Sequence, residues 1–263
     1  QNIPIRTAEG RNIRKAFITG DPDYEFFSAD YSQVELRLMA HLSGTPELIN
    51  AFLKGEDVHA ATASKIYHVP LEEVTPEMRR RAKTANFGII YGISAWGLAE
   101  RLKISRKEGK ELIEGYFALY PGVKRYMEES VEKARKKGYV ETIMGRRRYL
   151  RDINSRNAVV RGVAERNAVN APIQGSAADI IKKAMICIHQ KLKERGLRSK
   201  MILQVHDELN FKCHHEEVEE LKNLVVDCME HVVSLSVPLT VGTGYYDLSV
   251  IIDRNFCTVF FGY

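Results

Sequence analysis

Residues 200–213 read KMILQVHDELNFKC, which places a polar turn between two apolar runs. The runs Lys200–Val205 and Leu209–Cys213 have the length and the large apolar side chains of short strands. The polar segment His206–Glu208 lies between them. This stretch therefore predicts a β-hairpin that carries Asp207 at its tip.

A second aspartate has a comparable place in the sequence. Asp30 ends the apolar run Tyr24–Asp30, which follows the turn-like segment Gly20–Asp23. From Ser32 to Leu42 the apolar residues recur with helical spacing. We therefore expect Asp30 to lie where a buried strand meets a helix.

The two aspartates suggest a metal site. Strand ends and turns hold side chains on rigid backbone, which suits metal ligation. Mg²⁺ takes few protein carboxylates, and two such ions about 4 Å apart activate an attacking hydroxyl and stabilise a leaving oxygen. Glu35 and Glu208 add negative charge near Asp30 and Asp207. Ordinary turn chemistry is the better explanation for either aspartate taken alone.

Between these two regions the pattern is mostly helical. Helix starts are predicted at Thr75-Pro76, at the capping box of Ser105 with Glu108, and at Pro121. The remaining predicted elements are a short strand Tyr139–Ile143 after Gly138, a second long helical stretch broken at Pro172, a helix Glu216–Ser234 and a final strand Val237–Val241. Strands at both ends of a helical insertion predict a discontinuous α+β domain with a helical subdomain.

Composition limits the classes of function. The chain has 263 residues, a hydrophobic share of 44% and a formal charge of +5, which fits a folded protein with a real core. Its basic residues cluster in Arg79–Lys83, Lys133–Lys137 and Arg146–Arg148. One such run is compatible with a solvated helix face, whereas three on a net-basic chain favour a polyanionic partner.

The cysteines and the hydropathy pattern exclude other classes. Cys187, Cys213, Cys228 and Cys257 form no CxxC pair, so a zinc ribbon is not expected. Free thiols favour a reducing compartment, and we expect a cytoplasmic protein. No signal peptide and no apolar run near 18 residues is present, so no membrane association is expected.

The helix that begins after Thr75 carries an unusual stripe. Arg79, Lys83, Phe87 and Tyr91 recur every four residues, so they drift only slowly around one helix face. This face is cationic near the positive end of the helix dipole and aromatic further on. It suits a triphosphate followed by a sugar or base. An ordinary amphipathic helix is the alternative, but its core face would not begin with arginine and lysine.

A third group consists of Arg166, Asn170 and Gln174. All three side chains offer hydrogen-bond donors, and the first two lie one helical turn apart. Minor-groove acceptors occur at similar places in every correct base pair, so such donors could test pair geometry without reading sequence. A polar helix face explains the spacing equally well.

Together these residues strongly resemble the family A DNA polymerases of the bacterial polymerase I type. Asp30–Arg37 (DYSQVELR) resembles motif A of that family. The segment from Arg79 through Lys83 to Gly92 resembles motif B, and Gln204–Glu208 (QVHDE) resembles motif C. The resemblance covers Asn2 to about Gly244, with the motifs in the same order and spacing.

The resemblance implies a role for each matching residue. The implied catalytic residues are Asp30 and Asp207 as ligands of two Mg²⁺ ions, Glu208 in a supporting position, and Lys83 as the proton donor to pyrophosphate. The implied dNTP-binding residues are Arg6, Gln33, Glu35, His59, Arg79, Lys83, Phe87 and Tyr91, with Glu35 as the steric gate against a ribose 2′-hydroxyl. The implied DNA-binding residues are Arg166, Asn170, Gln174 and His206.

The resemblance also implies an architecture and a reaction. The fold would be a right-hand polymerase palm, an antiparallel sheet with helices, formed by residues 1–42 and 162–263, with helical fingers inserted at 43–161. A monomer would bind primer-template DNA and dNTPs and join the primer 3′-hydroxyl to the α-phosphate with release of pyrophosphate. Closure of the motif B helix over the nucleotide would complete the site.

The sequence departs from the family pattern in three respects. The family's thumb, exonuclease domain and primer-binding segment would lie before Gln1, so we expect the chain to be the C-terminal part of a longer protein. In addition, the apolar tail Tyr245–Tyr263 is atypical, and Asn210 replaces the usual apolar residue. The missing thumb supports an alternative, a non-catalytic DNA-binding fragment of such a polymerase. A single-subunit RNA polymerase is a second alternative, which Glu35 argues against because a ribose would need a small residue there.

Overall fold

The computed structural model describes residues 19–246. Its contacts divide the chain into two compact units. Unit 1 comprises Gln1–Ser32, Ile180–Val233 and Leu239–Tyr263, and unit 2 comprises Gln33–Asp179 and Ser234–Pro238. This division into units does not test the predicted bounds of the palm (1–42 and 162–263) and the fingers (43–161), which stay a prediction.

The expected α+β class is confirmed, because the structure combines helices with antiparallel strands. The strands are β1 (Tyr24–Tyr31), β2 (Tyr139–Glu141), β3 (Arg147–Tyr149), β4 (Lys200–Val205), β5 (Glu208–His214) and β6 (Val241–Tyr246). The helices are α1 (Val34–Ser43), α2 (Pro46–Leu53), α3 (Val58–Tyr67), α4 (Pro76–Ile90), α5 (Ala95–Leu102), α6 (Arg106–Leu119), α7 (Pro121–Lys137), α8 (Ala158–Glu194) and α9 (Val218–His231). In the described part of the chain, no helix has the length and apolar character needed to cross a membrane.

Unit 1 is built on an antiparallel sheet with the strand order β4-β5-β1-β6. Alternate side chains of β1 point into the core, and Phe27 and Ala29 are fully buried there. Phe211 of β5 lies directly opposite Phe27, with 5.5 Å between the ring centroids. Helix α9 packs against β1 and β5. The central strands therefore have a rigid, buried base.

The predicted hairpin at Asp207 is confirmed, since β4 and β5 pair on either side of a two-residue turn. His206 in that turn adopts a left-handed backbone with φ of 55°. The predicted helix Glu216–Ser234 is shorter in the structure, where a 3-10 turn at His215–Glu217 leads into α9.

The predicted final strand, Val237–Val241, is wrong in position. Strand β6 begins at Val241 and pairs with β1 through to Tyr246. Pro238 cannot donate to a ladder, and its carbonyl accepts a hydrogen bond from Arg37 Nη1 at 2.6 Å. The first two residues of the apolar tail, Tyr245 and Tyr246, are therefore part of the sheet. The rest of the tail and Arg6 lie outside the described residues.

The helix starts predicted in unit 2 are confirmed. Thr75 accepts a hydrogen bond from Met78 N at 3.2 Å, and Ser105 forms a capping box with Glu108. Helix α7 ends at Gly138, whose φ of 76° is a conformation that glycine adopts without strain.

The predicted break at Pro172 is wrong, because α8 runs without interruption from Ala158 to Glu194. Ala164, Ala168 and Ala171 belong to a buried cluster with Val140 and other apolar residues. Packing around Pro172 thus outweighs the hydrogen bond that a proline removes. The short strand predicted over Tyr139–Ile143 is confirmed as β2, and its partner β3 had been visible in the sequence only as a basic run.

Candidate active site

Unit 1 brings Asp30 and Asp207 to the same end of two paired strands. Asp30 lies opposite Glu208 in the register of β1 with β5. The backbone N–H of Tyr31 donates to the carbonyl of Asp207 at 3.2 Å, which fixes the hairpin tip beside the end of β1. Two aspartates 177 positions apart by residue number (207 − 30) thus become neighbours.

Both carboxylates have raised pKa values. Burial, together with the smaller effect of the negative charge of Asp207, raises the pKa of Asp30 to about 6 against an opposing backbone hydrogen bond. The pKa of Asp207 is also raised, mainly by burial. Half-buried acids that repel each other have the donor chemistry of a divalent cation site. Within residues 19–246 no group of three or more histidine, cysteine or acidic residues is placed to hold a metal by itself. The pair of Asp30 and Asp207 offers carboxylate oxygens, which are ligands that Mg²⁺ takes in proteins.

Gly242 is a residue that the sequence interpretation missed. It lies opposite Asp30 in the pairing of β1 with β6. A Cβ atom at this position would lie 3.0 Å from Asp30 Oδ1. Glycine therefore gives the carboxylate of Asp30 the room for its present position. In the sequence Gly242 follows the predicted strand Val237–Val241, and that position does not identify the residue opposite.

The remaining candidates of unit 1 surround the same hairpin. Glu208 is half-buried, and His206 is exposed at the turn. The carbonyl of His206 accepts a hydrogen bond from Gln204 Nε2 at 3.0 Å. The DNA-binding and supporting roles implied for these two residues stay predictions.

In unit 2 the cationic and aromatic stripe lies on the accessible face of α4. Lys83, Phe87 and Tyr91 are half-buried, and Arg79 is exposed. The fully buried residues of the same helix are Ala82, Ala85, Asn86, Gly88, Ile89 and Ile90. Burial lowers the pKa of Lys83, and the positive charge of Arg79 lowers it further. None of the four side chains of the stripe is fully buried.

His59 lies next to this stripe but differs from the cations. It is buried, and its ring centroid is 5.7 Å from that of Phe87. Its Nδ1 is 3.0 Å from Asn86 Nδ2, which donates, so the ring proton belongs on Nε2. Burial lowers the pKa of His59 to about 4, so the ring is neutral at pH 7. It can offer a hydrogen bond to a phosphate but no charge.

Glu35 and Tyr91 meet within unit 2. The Tyr91 hydroxyl donates a hydrogen bond to Glu35 Oε2, which holds the carboxylate over the end of α4. Gln33 precedes α1 in a left-handed conformation with φ of 52°. Its Oε1 is buried and has no hydrogen-bond partner among the described residues.

Arg166, Asn170 and Gln174 share one face of α8, because the helix continues through Pro172. Arg166 and Gln174 are exposed, and Asn170 is half-buried. Gly92, with φ of 75°, allows Arg166 to pack over the turn after α4, since a Cβ there would lie 2.9 Å from Arg166 Cγ. The sequence interpretation did not anticipate this contact.

Known proteins are similar in sequence to this chain over most of its length. The family model described as DNA polymerase family A matches residues 1–247. The DNA polymerase I of Geobacillus stearothermophilus is 56% identical over 251 residues, which cover 94% of this chain and 29% of that protein. The DNA polymerase I of Mycobacterium tuberculosis (strain H37Rv) is 54% identical over 245 residues, covering 93% of this chain and 27% of that protein.

A solved structure of a polymerase domain is also similar to this chain. The POL domain of Pol1 from M. smegmatis, in complex with DNA primer-template and dNTP, superposes with a TM-score of 0.88 at 53% identity. The match covers 93% of this chain and 43% of that one. The chain thus spans less than a third of the length of the curated relatives that it matches.

Proposed function

Because this chain belongs to DNA polymerase family A, we propose that it adds deoxynucleotides to the 3′-hydroxyl of a DNA primer under direction of a template. The observation that carries the proposal is the juxtaposition of Asp30 and Asp207 at the ends of β1 and the β4–β5 hairpin. The M. smegmatis domain, which this chain resembles, is described with primer-template and dNTP bound, and we extend those partners to this chain.

Polymerases of this family use divalent metal ions. Asp30 and Asp207 are the residues that would hold two Mg²⁺ ions, and Glu208 would add negative charge beside them. When bound, such ions activate the attacking hydroxyl and stabilise the leaving oxygen. Because Gly242 has no side chain, it leaves the space that the Oδ1 atom of Asp30 occupies.

The stripe on α4 would receive the nucleotide. Arg79 and Lys83 would bind the triphosphate, with His59 as a neutral hydrogen-bond donor. Lys83 is the candidate acid for the departing pyrophosphate, since its lowered pKa makes the transfer of a proton easier. Phe87 would face the sugar or base.

Selection of the sugar and of the base pair would use other side chains. Glu35, held by Tyr91, would collide with a 2′-hydroxyl. Arg166, Asn170 and Gln174 would contact minor-groove acceptors, which are alike in all correct pairs. Gln33 and His206 are further candidates for nucleotide and DNA contact.

Isosteric substitution of the aspartates tests the proposal. Asp30→Asn and Asp207→Asn should reduce primer extension by about a thousandfold, because a lost metal ligand removes several kcal/mol of transition-state stabilisation. Binding of primer-template, measured by fluorescence anisotropy, should persist. Asp23→Asn, in the exposed turn before β1, is the matched control and should extend normally.

Two results would contradict this assignment. Near wild-type extension in either aspartate variant would remove the metal role. Binding of DNA without extension in the wild-type chain, with Mg²⁺ and dNTPs present, would favour the non-catalytic DNA-binding alternative.

The nucleotide-binding face has its own test. Lys83→Ala should raise the dNTP concentration needed for half-maximal rate and slow single-turnover chemistry. Arg80→Ala should do neither, because Arg80 is paired with Glu77 at 2.7 Å, off the stripe. Equal effects of the two substitutions would show that the wrong helix face has been assigned.

A further inference from the structure

Asp57 occupies a junction between the two helices that carry the candidate phosphate ligands. It is the N-cap residue of α3, and its Oδ1 accepts hydrogen bonds from His59 N at 2.9 Å and Ala60 N at 3.1 Å. Its second oxygen, Oδ2, accepts a hydrogen bond from Arg79 Nε at 2.6 Å. One carboxylate therefore ties the backbone of His59 to the side chain of Arg79.

The contact with Asp57 uses only one of the three nitrogen atoms of the Arg79 guanidinium. A guanidinium carries five N–H donors in a fixed planar fork. The bond to Asp57 uses Nε, which leaves the four N–H groups on Nη1 and Nη2 for another anion. The side chain of Arg79 is 45% exposed, so a ligand from solvent can reach it. A carboxylate that competed with phosphate would instead engage the two terminal nitrogens.

The local charges support the same arrangement. Burial acts to raise the pKa of Asp57, but the hydrogen bond from Arg79 and the N–H groups of α3 outweigh it, so the pKa is lowered. Asp57 is therefore ionised at neutral pH and holds Arg79 through a charge-assisted hydrogen bond.

We propose that Asp57 is a positioning residue for nucleotide binding, which orients the Arg79 guanidinium through Nε so that its terminal amino groups face the triphosphate. The proposal rests on the phosphate-binding role proposed above for Arg79. It adds that the affinity of this site depends on a residue that does not touch the nucleotide. An arginine held in a single orientation loses less conformational entropy when it binds a phosphate.

The test separates this role from helix capping. Asn and Ser are good N-caps, so Asp57→Asn and Asp57→Ser should preserve α3 while removing the charged acceptor for Arg79. Both variants should raise the KM for dNTP about tenfold, the effect of losing about one charge-assisted hydrogen bond, with kcat and Tm near the wild-type values. Glu77→Gln is the matched control, because Glu77 pairs with Arg80 and Arg81 at the start of the same helix. It should leave KM unchanged.

A binding assay makes the result independent of catalysis. Calorimetric titration of the whole chain with inorganic tripolyphosphate should show the same weakening in Asp57→Asn. In an Arg79→Ala background the Asp57→Asn substitution should have no further effect, because Asp57 acts through Arg79. If this coupling appears while primer extension is absent, the polymerase function fails and the positioning role stands.

Several outcomes would overturn the positioning role. Tighter tripolyphosphate binding in Asp57→Asn would show that the carboxylate competes with the ligand. If Asp57→Asn weakened tripolyphosphate binding equally in the wild-type and Arg79→Ala backgrounds, Asp57 would affect binding through a residue other than Arg79. A lowered Tm with unchanged affinity would leave only the capping role, and a wild-type chain without affinity for tripolyphosphate would remove the site itself.

Discussion

At the scale of single residues, the candidate site depends on side chains that other side chains hold in place. The Tyr91 hydroxyl fixes Glu35, the carboxylate of Asp57 fixes Arg79, and the missing side chain of Gly242 leaves space for Asp30. Asp57 and Gly242 have no proposed chemistry of their own, whereas Tyr91 is also a candidate nucleotide-binding residue. Substitutions can therefore separate chemistry from restraint.

The first prediction concerns sugar selection. Glu35→Ala should increase incorporation of ribonucleotides strongly while affecting dNTPs less, because truncation removes the side chain that would collide with a 2′-hydroxyl. Tyr91→Phe should have a smaller effect, since it removes only the hydrogen bond that restrains Glu35. The measurement is the ratio of dCTP to CTP incorporation opposite a template G.

Glu47→Ala, at the exposed start of α2, is the control and should keep the wild-type ratio. An unchanged ratio in Glu35→Ala would remove Glu35 as the gate and would reopen the interpretation as an RNA polymerase.

The second prediction concerns Gly242. Gly242→Ala should lower kcat by about tenfold, because displacement of a catalytic group by a fraction of an ångström costs on this order. The added Cβ would lie 3.0 Å from Asp30 Oδ1, so the carboxylate must shift. The Tm should change little. Thr243→Ala, at the next position of β6, should retain the wild-type kcat, and equal rates in all three proteins would show that Asp30 tolerates the shift.

At the scale of secondary-structure elements, long-range polar contacts hold the ends of the sheet to the helices. Glu217, just before α9, is buried and binds the segment that leads into β4. Its Oε1 accepts from Arg198 N at 2.9 Å, and its Oε2 accepts from the backbone N and the hydroxyl of Ser199 at 2.8 and 2.7 Å. One acid thus anchors the outer strand of the sheet.

The third prediction is that Glu217 makes stability dependent on pH. Burial alone would raise the pKa of Glu217, but these hydrogen bonds lower it to about 2, from an ordinary value of 4.5. Because the folded pKa is depressed, the stabilisation is fully present above about pH 4.5 and is lost as the pH falls toward about 2. Glu217→Gln should therefore cost about 1–2 kcal/mol of unfolding free energy at pH 7, allowing for partial solvent screening.

Urea unfolding of the wild type and of Glu217→Gln at pH 7 and pH 3.5 measures the difference in unfolding free energy between them. This difference should be smaller at pH 3.5 than at pH 7. Glu219→Gln, on the first turn of α9, serves as the control and should change the free energy of unfolding little. A gap between wild type and Glu217→Gln that stays constant with pH would contradict the assigned pKa.

At the scale of the whole molecule, the structure changes the meaning of the basic runs. Arg80 and Arg81 both pair with Glu77, and Arg135 pairs with Glu165. In the hairpin of β2 and β3, Arg146, Arg147 and Arg148 are all exposed, and Arg146 pairs with Asp179 and Arg147 with Glu141. Only part of the basic surface predicted from the sequence is thus offered to a polyanion.

The fourth prediction is that primer-template binding is weak and depends steeply on salt. Phosphate contacts by lysine and arginine release counterions, so the logarithm of the affinity should fall linearly with the logarithm of the salt concentration. Arg148→Ala should make that slope shallower by about 1 if Arg148 contacts one phosphate. Lys107→Ala, whose exposed ammonium lies 3.9 Å from Glu111, is the matched control. Tight binding that is insensitive to salt would contradict the prediction.

The sequence by itself determined the features that depend on local patterns. Short apolar runs next to polar turn segments identified β1, β4 and β5, and the capping residues Thr75 and Ser105 located their helices. The four-residue spacing from Arg79 to Tyr91 identified the accessible face of α4. Such features are visible in sequence because residues a few positions apart decide them, through the backbone period and the unsatisfied N–H groups of a helix start.

Only the tertiary structure decided which distant residues meet. The pairing of β6 with β1 places Gly242 against Asp30, and the approach of α4 to α3 gives Arg79 its partner Asp57. Packing also carries α8 through Pro172, against the local preference of that residue. These features could not be predicted because each depends on burial and on contacts between segments far apart in the chain. A local pattern sets the shape of an element, but the free energy that selects its neighbours comes from the assembled core.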